Sequence, residues 1–281
     1  MGHLLLHMRN KLCCIGGDVG LVGFARRAWV AAIFHCRDVI AMLSKPREWA
    51  SEHVQTAAIA AAPGRAPFYN NLGEIHAAAA RYRLIAARSP AESVQLGLAA
   101  YERAAELMPN HPIPVTNLAR LHLTSAQHDL RVGSDPRRDL ARAREALERA
   151  LALNPAHVRA MALQGIWALL SSAAGLEPIA LADPAFEKAI AAASDDREVA
   201  IGFARLALYH LSMGPDQADQ TWLNEGLAAA ERAEATGSTE AILLRAALLR
   251  TIDGRNAEAD ALQARALAVN PNLRHHWAVV D

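Results

Sequence analysis

The feature that most limits how this chain can fold is a phrase written twice, 46 residues apart. Tyr101-Glu102-Arg103-Ala104, followed by Leu107, Pro109 and His111, returns as Leu147-Glu148-Arg149-Ala150, followed by Leu153, Pro155 and His157. The match extends upstream, where Asn71-Leu72 with His76 parallels Asn117-Leu118 with His122, and Ser89-Pro90 parallels Asp135-Pro136. A period of this length belongs to a supersecondary unit that buries its apolar face against copies of itself.

Each unit has the spacing of a helical hairpin. Gly97, Tyr101, Ala104 and Pro109 follow one another at steps of 4, 3 and 5, and Ala143, Leu147, Ala150 and Pro155 repeat those steps. Steps of 3 and 4 put side chains on one helix face, where small residues admit a neighbouring helix and the large one fills the gap. Proline then ends the helix. With Leu72-Gly73 and Leu118-Ala119 upstream, these residues resemble the tetratricopeptide repeat and its L-G-x-x-Y…A-x-x-x-F…P signature. His76 and His122 depart from it by standing where that pattern has tyrosine, and Leu147 by standing where it has an aromatic.

The resemblance implies an all-α fold, a right-handed superhelical solenoid of antiparallel hairpins with lengthened repeats. Few aromatics (5%) and an apolar share of 52%, rich in alanine, suit close helix packing. Leu72 to Gly97 and Leu118 to Ala143 each span 25 residues, where a standard repeat has 13, so the arms are longer. Three organisational segments are expected: residues 1–62 as an irregular apolar helical lead-in, 63–273 as an array of about five hairpins, and 274–281 as a tail. Units are expected to start near residues 66, 112, 158, 197 and 240. The first helix should run from Phe68 to Ala87, and Val54 to Ala62 reads as the second helix of a decayed unit. Ser89, Asp135 and Asp183, each before a proline, read as helix caps, with Glu92 completing a capping box after Ser89.

The lead-in invites several functional readings that its residues do not sustain. Leu4-Leu5-Leu6 begins a short apolar run, but Arg9 and Lys11 follow without a small-residue cleavage site, so no secretory signal is expected. Leu21 to Leu43 contains Arg26, Arg27, Arg37 and Asp38, each costing about 2.5–3.5 kcal/mol at a bilayer centre, which argues against a membrane. Gly16-Gly17, Gly20 and Gly23 lack phosphate-loop spacing. Cys13, Cys14 and Cys36 are neither a metal set nor a disulfide framework, which fits a reducing cytoplasm. His3 with His7 and His275 with His276 are read as incidental, with Trp277 folding back on the last hairpin. A formal charge of +0 offers no basic face for nucleic acid.

No spacing of a catalytic motif occurs, so the chain is expected to be neither an enzyme nor a carrier of a cofactor or metal. The resemblance instead implies a partner surface along the first helices of successive units, for another protein or a peptide. The residues expected there are Asn70, Asn71 and Glu74, then Thr116, Asn117 and Arg120, then Arg159 with Leu163 and Ile166, then Arg205, Tyr209 and Arg245. Asn71 and Asn117 share a repeat position. Their amides could bond the backbone of an extended peptide, or could bridge neighbouring helices. A subset of these repeats grips a C-terminal carboxylate. Asn117 and Arg159 match that clamp, but Glu74 and Leu163 depart from it, and a carboxylate at 74 would repel the ligand's own. His76 and His122 are expected to bond within their own hairpins. Tyr69-Asn70-Asn71-Leu72-Gly73-Glu74-Ile75-His76 and the ending Ala266 to Leu273 also resemble arrays attached to large bacterial serine/threonine kinases. That likeness implies a partner-binding portion without phosphotransfer, and a place in bacterial signalling. A further reading is a sensor whose superhelix closes on a small ligand.

Overall fold

The computed structural model describes residues 45–212 and 220–275, and the lead-in sequences before Lys45 and Trp277 lie outside them. Eleven α-helices and no strand occur among the described residues. They are α1 (Lys45–Ala61), α2 (Ala66–Ile85), α3 (Ala91–Leu107), α4 (Pro112–Val132), α5 (Arg137–Leu153), α6 (Val158–Ala173), α7 (Ala182–Ala193), α8 (Arg197–Ser212), α9 (Gln220–Ala235), α10 (Thr239–Arg250) and α11 (Asn256–Val269). Short 3₁₀ turns occupy Ile179–Leu181 and Pro271–His275. None of these helices is long and apolar enough to cross a membrane.

From α2 onward the helices pair as five antiparallel hairpins, α2/α3 to α10/α11. This is the helical-repeat solenoid read from the sequence, and the first helices of the hairpins begin at Ala66, Pro112, Val158, Arg197 and Thr239. Helix α1 packs on α2 and begins at Lys45, nine residues before the expected Val54. The first helix of the array is shifted back to Ala66–Ile85, because Pro67 supplies the fixed φ of an opening turn and positive-φ Ala87 (54°) stops the far end.

The hairpins close by size matching. Tyr101 of α3 is fully buried against Gly73 of α2, and a Cβ on Gly73 would come within 2.5 Å of the tyrosine ring. Phe186 of α7 sits in the same way on Gly165 of α6, where a Cβ would also meet the ring at 2.5 Å. In the second hairpin the pair is Leu147 and Ala119, both buried in one cluster. A bulkier side chain on one helix thus faces a smaller one on its partner, which keeps the packing dense.

Turn chemistry sets the boundaries. Gly133 takes the left-handed conformation (φ 70°) that ends α4, with Ser134 N–H donating to Asp129 O at 2.8 Å. Asn154 and Asn270 each accept from the amide two residues on, at 3.0 and 3.1 Å, so both Asn-Pro turns have the same form. The capping expectations at Ser89, Asp135 and Asp183 all change, Pro136 standing at the start of α5 as Pro90 does at the start of α3. Pro90 takes helical dihedrals and its carbonyl accepts from Val94, with the Ser89 hydroxyl 3.4 Å from Ala91 N. Glu92 does not complete the box, because Arg83 holds its carboxylate at 2.9 Å. Asp183 lies inside α7 and pairs with His210 at 3.0 Å, so it does not cap that helix.

The first helices form a continuous row, α2 on α4, α4 on α6, α6 on α8 and α8 on α10, while the second helices form no comparable row. The first helices therefore make the inner layer of a curved stack. The row also closes on itself: the end of α2 packs against the 271–275 turn, and Ile85 lies against Leu243, Ala266 and Leu273.

Candidate functional site

Two positions on the first helices supply a belt of charge along the inner layer. The ninth residue of each helix is Glu74, Arg120, Ile166, Arg205 and Ala247, and the second is Pro67, Ile113, Arg159, Glu198 and Glu240. Each charged member reaches across to a neighbouring hairpin. Arg120 donates to Glu74 at 2.8 Å and to the Tyr101 hydroxyl at 2.9 Å. Arg159 pairs with Glu198 at 3.0 Å. Arg205 and Arg81 both pair with Glu240, a carboxylate only 5% exposed.

The other sequence-derived candidates lie along the same face with different degrees of access. Asn117 and Thr116 are buried at 1% exposure. Asn117 donates its amide to Asn70 at 3.0 Å, and the Thr116 hydroxyl donates to the Pro112 carbonyl at 2.9 Å. Asn70, Asn71, Glu74, Arg120, Arg159, Arg205 and Tyr209 are half-buried. The Tyr209 hydroxyl meets the Ser172 hydroxyl at 3.0 Å, which ties α8 to α6. Arg245 reaches Glu231 at 3.1 Å and Glu234 at 3.3 Å on α9. Leu163 is buried in the core of the second and third hairpins, and Ile166 packs against it partly buried. The amides of Asn70 and Asn117 therefore bridge two hairpins, and the shared position of Asn71 and Asn117 hides unequal exposure.

Electrostatics bind the belt tightly. Burial alone would raise the Glu74 carboxyl, but the Arg120 guanidinium and hydrogen bonds from Arg120 and Tyr101 overrule it and hold the pKa below the usual carboxylate range. The Tyr101 hydroxyl is pushed strongly up, first by burial and then by the neighbouring Glu74 charge. Arg120 is held in its charged form against the cost of burial by Tyr101, Glu74 and Glu198. The buried Arg120 Nε and Asn117 Oδ1 have no protein hydrogen-bond partner.

The belt also contains Arg81, the Tyr101 hydroxyl, Glu198 and Glu240, which the repeat signature does not single out. The signal for the two glutamates was present: they occupy the repeat position of Arg159, so charge at that one position changes sign between units. Arg81 had no such signal, because its partner lies 159 residues away.

The histidines behave as interior groups. His122 Nδ1 meets Asp139 at 2.8 Å across its own hairpin, as expected, and Ser125 donates to the same carboxylate at 3.0 Å. These bonds overcome burial and keep Asp139 below its usual pKa. The serine bonds the carboxylate instead of the imidazole, so this trio holds no activated nucleophile. Burial pushes His76 down, and burial with Arg159 and His111 nearby does the same to His157. Among the described residues no three His, Cys, Asp or Glu side chains gather as a metal set.

No family model matches this chain, and no curated protein does either. Among solved structures it is similar to YrrB, described as a TPR protein with an unusual peptide-binding site, at 15% identity and a TM-score of 0.40 over 79% of this chain and 94% of that one. It is also similar to yeast Tom70, at 12% identity and a TM-score of 0.39 over 78% of this chain and 47% of that one. The chain thus spans about half of Tom70.

Proposed function

We propose that the chain is a non-catalytic scaffold that holds a peptide or helix of another protein against its inner helix row. The observation that carries this reading is the belt itself: polar side chains from α2, α4, α6 and α8 converge on one face and stay half-buried, within reach of a ligand. A segment laid across them would meet amide, carboxylate and guanidinium groups at repeating intervals, which suits recognition of a backbone with a few charged side chains. Thr116 and Asn117 hold neighbouring hairpins in register, while Asn71, Glu74, Arg159, Arg205 and Tyr209 offer the contact surface. The lengthened repeats suit the role suggested by their kinase-linked resemblance, an adaptor in bacterial cytoplasmic signalling.

The test is affinity capture with the full chain, followed by direct titration of the retained protein. Asn71→Ala with Arg159→Lys, which keeps a positive charge beside Glu198 but loses the guanidinium fork, should weaken that binding at least tenfold while leaving helicity and the unfolding midpoint close to those of the parent. Undiminished binding would move the site off the inner face.

A further inference from the structure

Four junctions of the array join hairpins through whole helix faces, but the one between the first and fifth hairpins does not. It is held by the Arg81–Glu240 ion pair, by Ile85 against Leu243, Ala266 and Leu273, and by contact of α2 with the 271–275 turn. We infer that this seam is a gate on the inner face, closed in this structure, and that it opens by release of Arg81 from Glu240.

The asymmetry of the ion pair is the argument. Glu240 is 5% exposed and is shared by Arg205, 20% exposed on the adjoining hairpin, and Arg81, 53% exposed on the far side of the seam. A buried carboxylate stripped of its only cation would be costly. When Arg81 leaves, Glu240 keeps Arg205, so that cost does not arise. Arg81 itself is already 53% exposed in the pair, so its passage into water costs only about 1 kcal/mol. The remaining apolar patch is completed by Ile85, one partly buried side chain. Every other inner-row junction would instead have to separate packed first helices, as where Arg120, Glu74 and Tyr101 join α4 to the first hairpin. The array is thus built to part at one place, and parting there uncovers the inner row along its length.

The gate rests on the reading of the inner row as a partner surface, but its motion belongs to the chain alone. Spin labels at Arg88→Cys and Val269→Cys, both exposed and on opposite sides of the seam, would report the opening by pulsed dipolar spectroscopy. The full-length background carries Cys13, Cys14 and Cys36 replaced by serine. A second pair at Arg149→Cys and Lys188→Cys spans the second and third hairpins as reference. The expected result is a short and a long distance at the seam. Arg81→Ala should raise the long-distance share roughly fivefold, the fold-change of about 1 kcal/mol for such a pair, and Arg81→Lys should leave it near the parent's. Salt at about 1 M should shift the unsubstituted chain the same way by screening the pair. The reference pair should keep one distance throughout. A single seam distance shared by the parent, Arg81→Ala and Arg81→Glu would overturn the gate and leave the partner-binding reading standing. Seam and reference pairs broadening together would overturn it as well, since the array would then be loosening everywhere.

Discussion

The first two hairpins and the last two solve the same packing problem in different ways. In the first two, one large side chain locks each hairpin: Tyr101 on Gly73, and Leu147 on Ala119. The corresponding positions in the fourth and fifth hairpins hold Ala230 and Gln263, neither of which can act as a wedge. There the burial passes to Phe203, Leu206, Leu223, Leu244 and Leu248, in one cluster that also takes in Phe186 and spans three hairpins. Shared clusters run through both regions, since the one around Leu147 also spans three hairpins, from Ala105 to Leu170; what differs is whether one large side chain stands at the repeat position. A strict sequence period is therefore evidence for a wedge at a fixed place in each hairpin, and its decay marks a region where other side chains take over that burial.

The sharpest way to break this contrast is to remove the wedges. Tyr101→Ala and Phe186→Ala should each cost about 3–5 kcal/mol of stability, since each empties a fully buried aromatic site. Ala230→Gly, at the same repeat position, should cost about 1 kcal/mol, mainly through helix propensity. Urea unfolding of the three variants decides the matter, and equal costs would mean that the wedge has no special role.

Size matching makes a second, smaller prediction. Gly165→Ala should lose about 1–3 kcal/mol by pressing a methyl group into the Phe186 ring. Adding Phe186→Leu recreates the Ala119–Leu147 combination of the second hairpin, so the double variant should be more stable than the sum of its singles predicts. Simple additivity in a double-mutant cycle would show that the two positions do not read each other's volume.

Much of this was legible before any coordinates. The 46-residue offset located the first three hairpins because it recurs in the helix faces themselves, and the Asn-Pro turns repeated because their side chains make the same local bond. The failures are equally local in cause. Glu92 was read as a cap because sequence shows the residue three positions back but not Arg83 on the preceding helix. At the candidate site, the pattern identified the face but not the pairing on it. Glu74 with Arg120 could be inferred from a shared repeat position, whereas the Arg81–Glu240 contact depends on how far the stack curves, which no single unit records.

Acid should probe the two regions unequally. His76 and His157 titrate lower in the fold than when free, so the folded chain binds fewer protons and stability falls as pH drops below their ordinary value of 6.5. Glu74 and Asp139 are likewise depressed, from 4.5 and 3.8. Their contribution is complete above those values and is lost as pH falls through the lower folded ones. All four groups lie in the first three hairpins. Hydrogen exchange at pH 5 should therefore rise in α2 to α6 before it rises in α10 and α11, and Glu74→Gln should flatten the loss below about pH 4.5. Uniform acid loosening would show that the first hairpins draw no particular stability from these groups.

The smallest expected effect separates two residues that the repeat treats as one. Asn117 is 1% exposed and gives its amide to Asn70, so Asn117→Ala should cost about 1 kcal/mol, the net worth of an ordinary protein hydrogen bond. Asn71 holds the same position one unit earlier but stays half-buried, and Asn71→Ala should fall within about 0.5 kcal/mol of the parent. The cause is positional: Asn117 has the first hairpin stacked against it, whereas Asn71 stands in the first unit of the periodic array. A measurable stability loss at Asn71 would give it a structural duty and leave Glu74, Arg159, Arg205 and Tyr209 as the contact residues. Neutrality at Asn71 together with lost partner binding would show one repeat position divided between holding the array and reading its ligand.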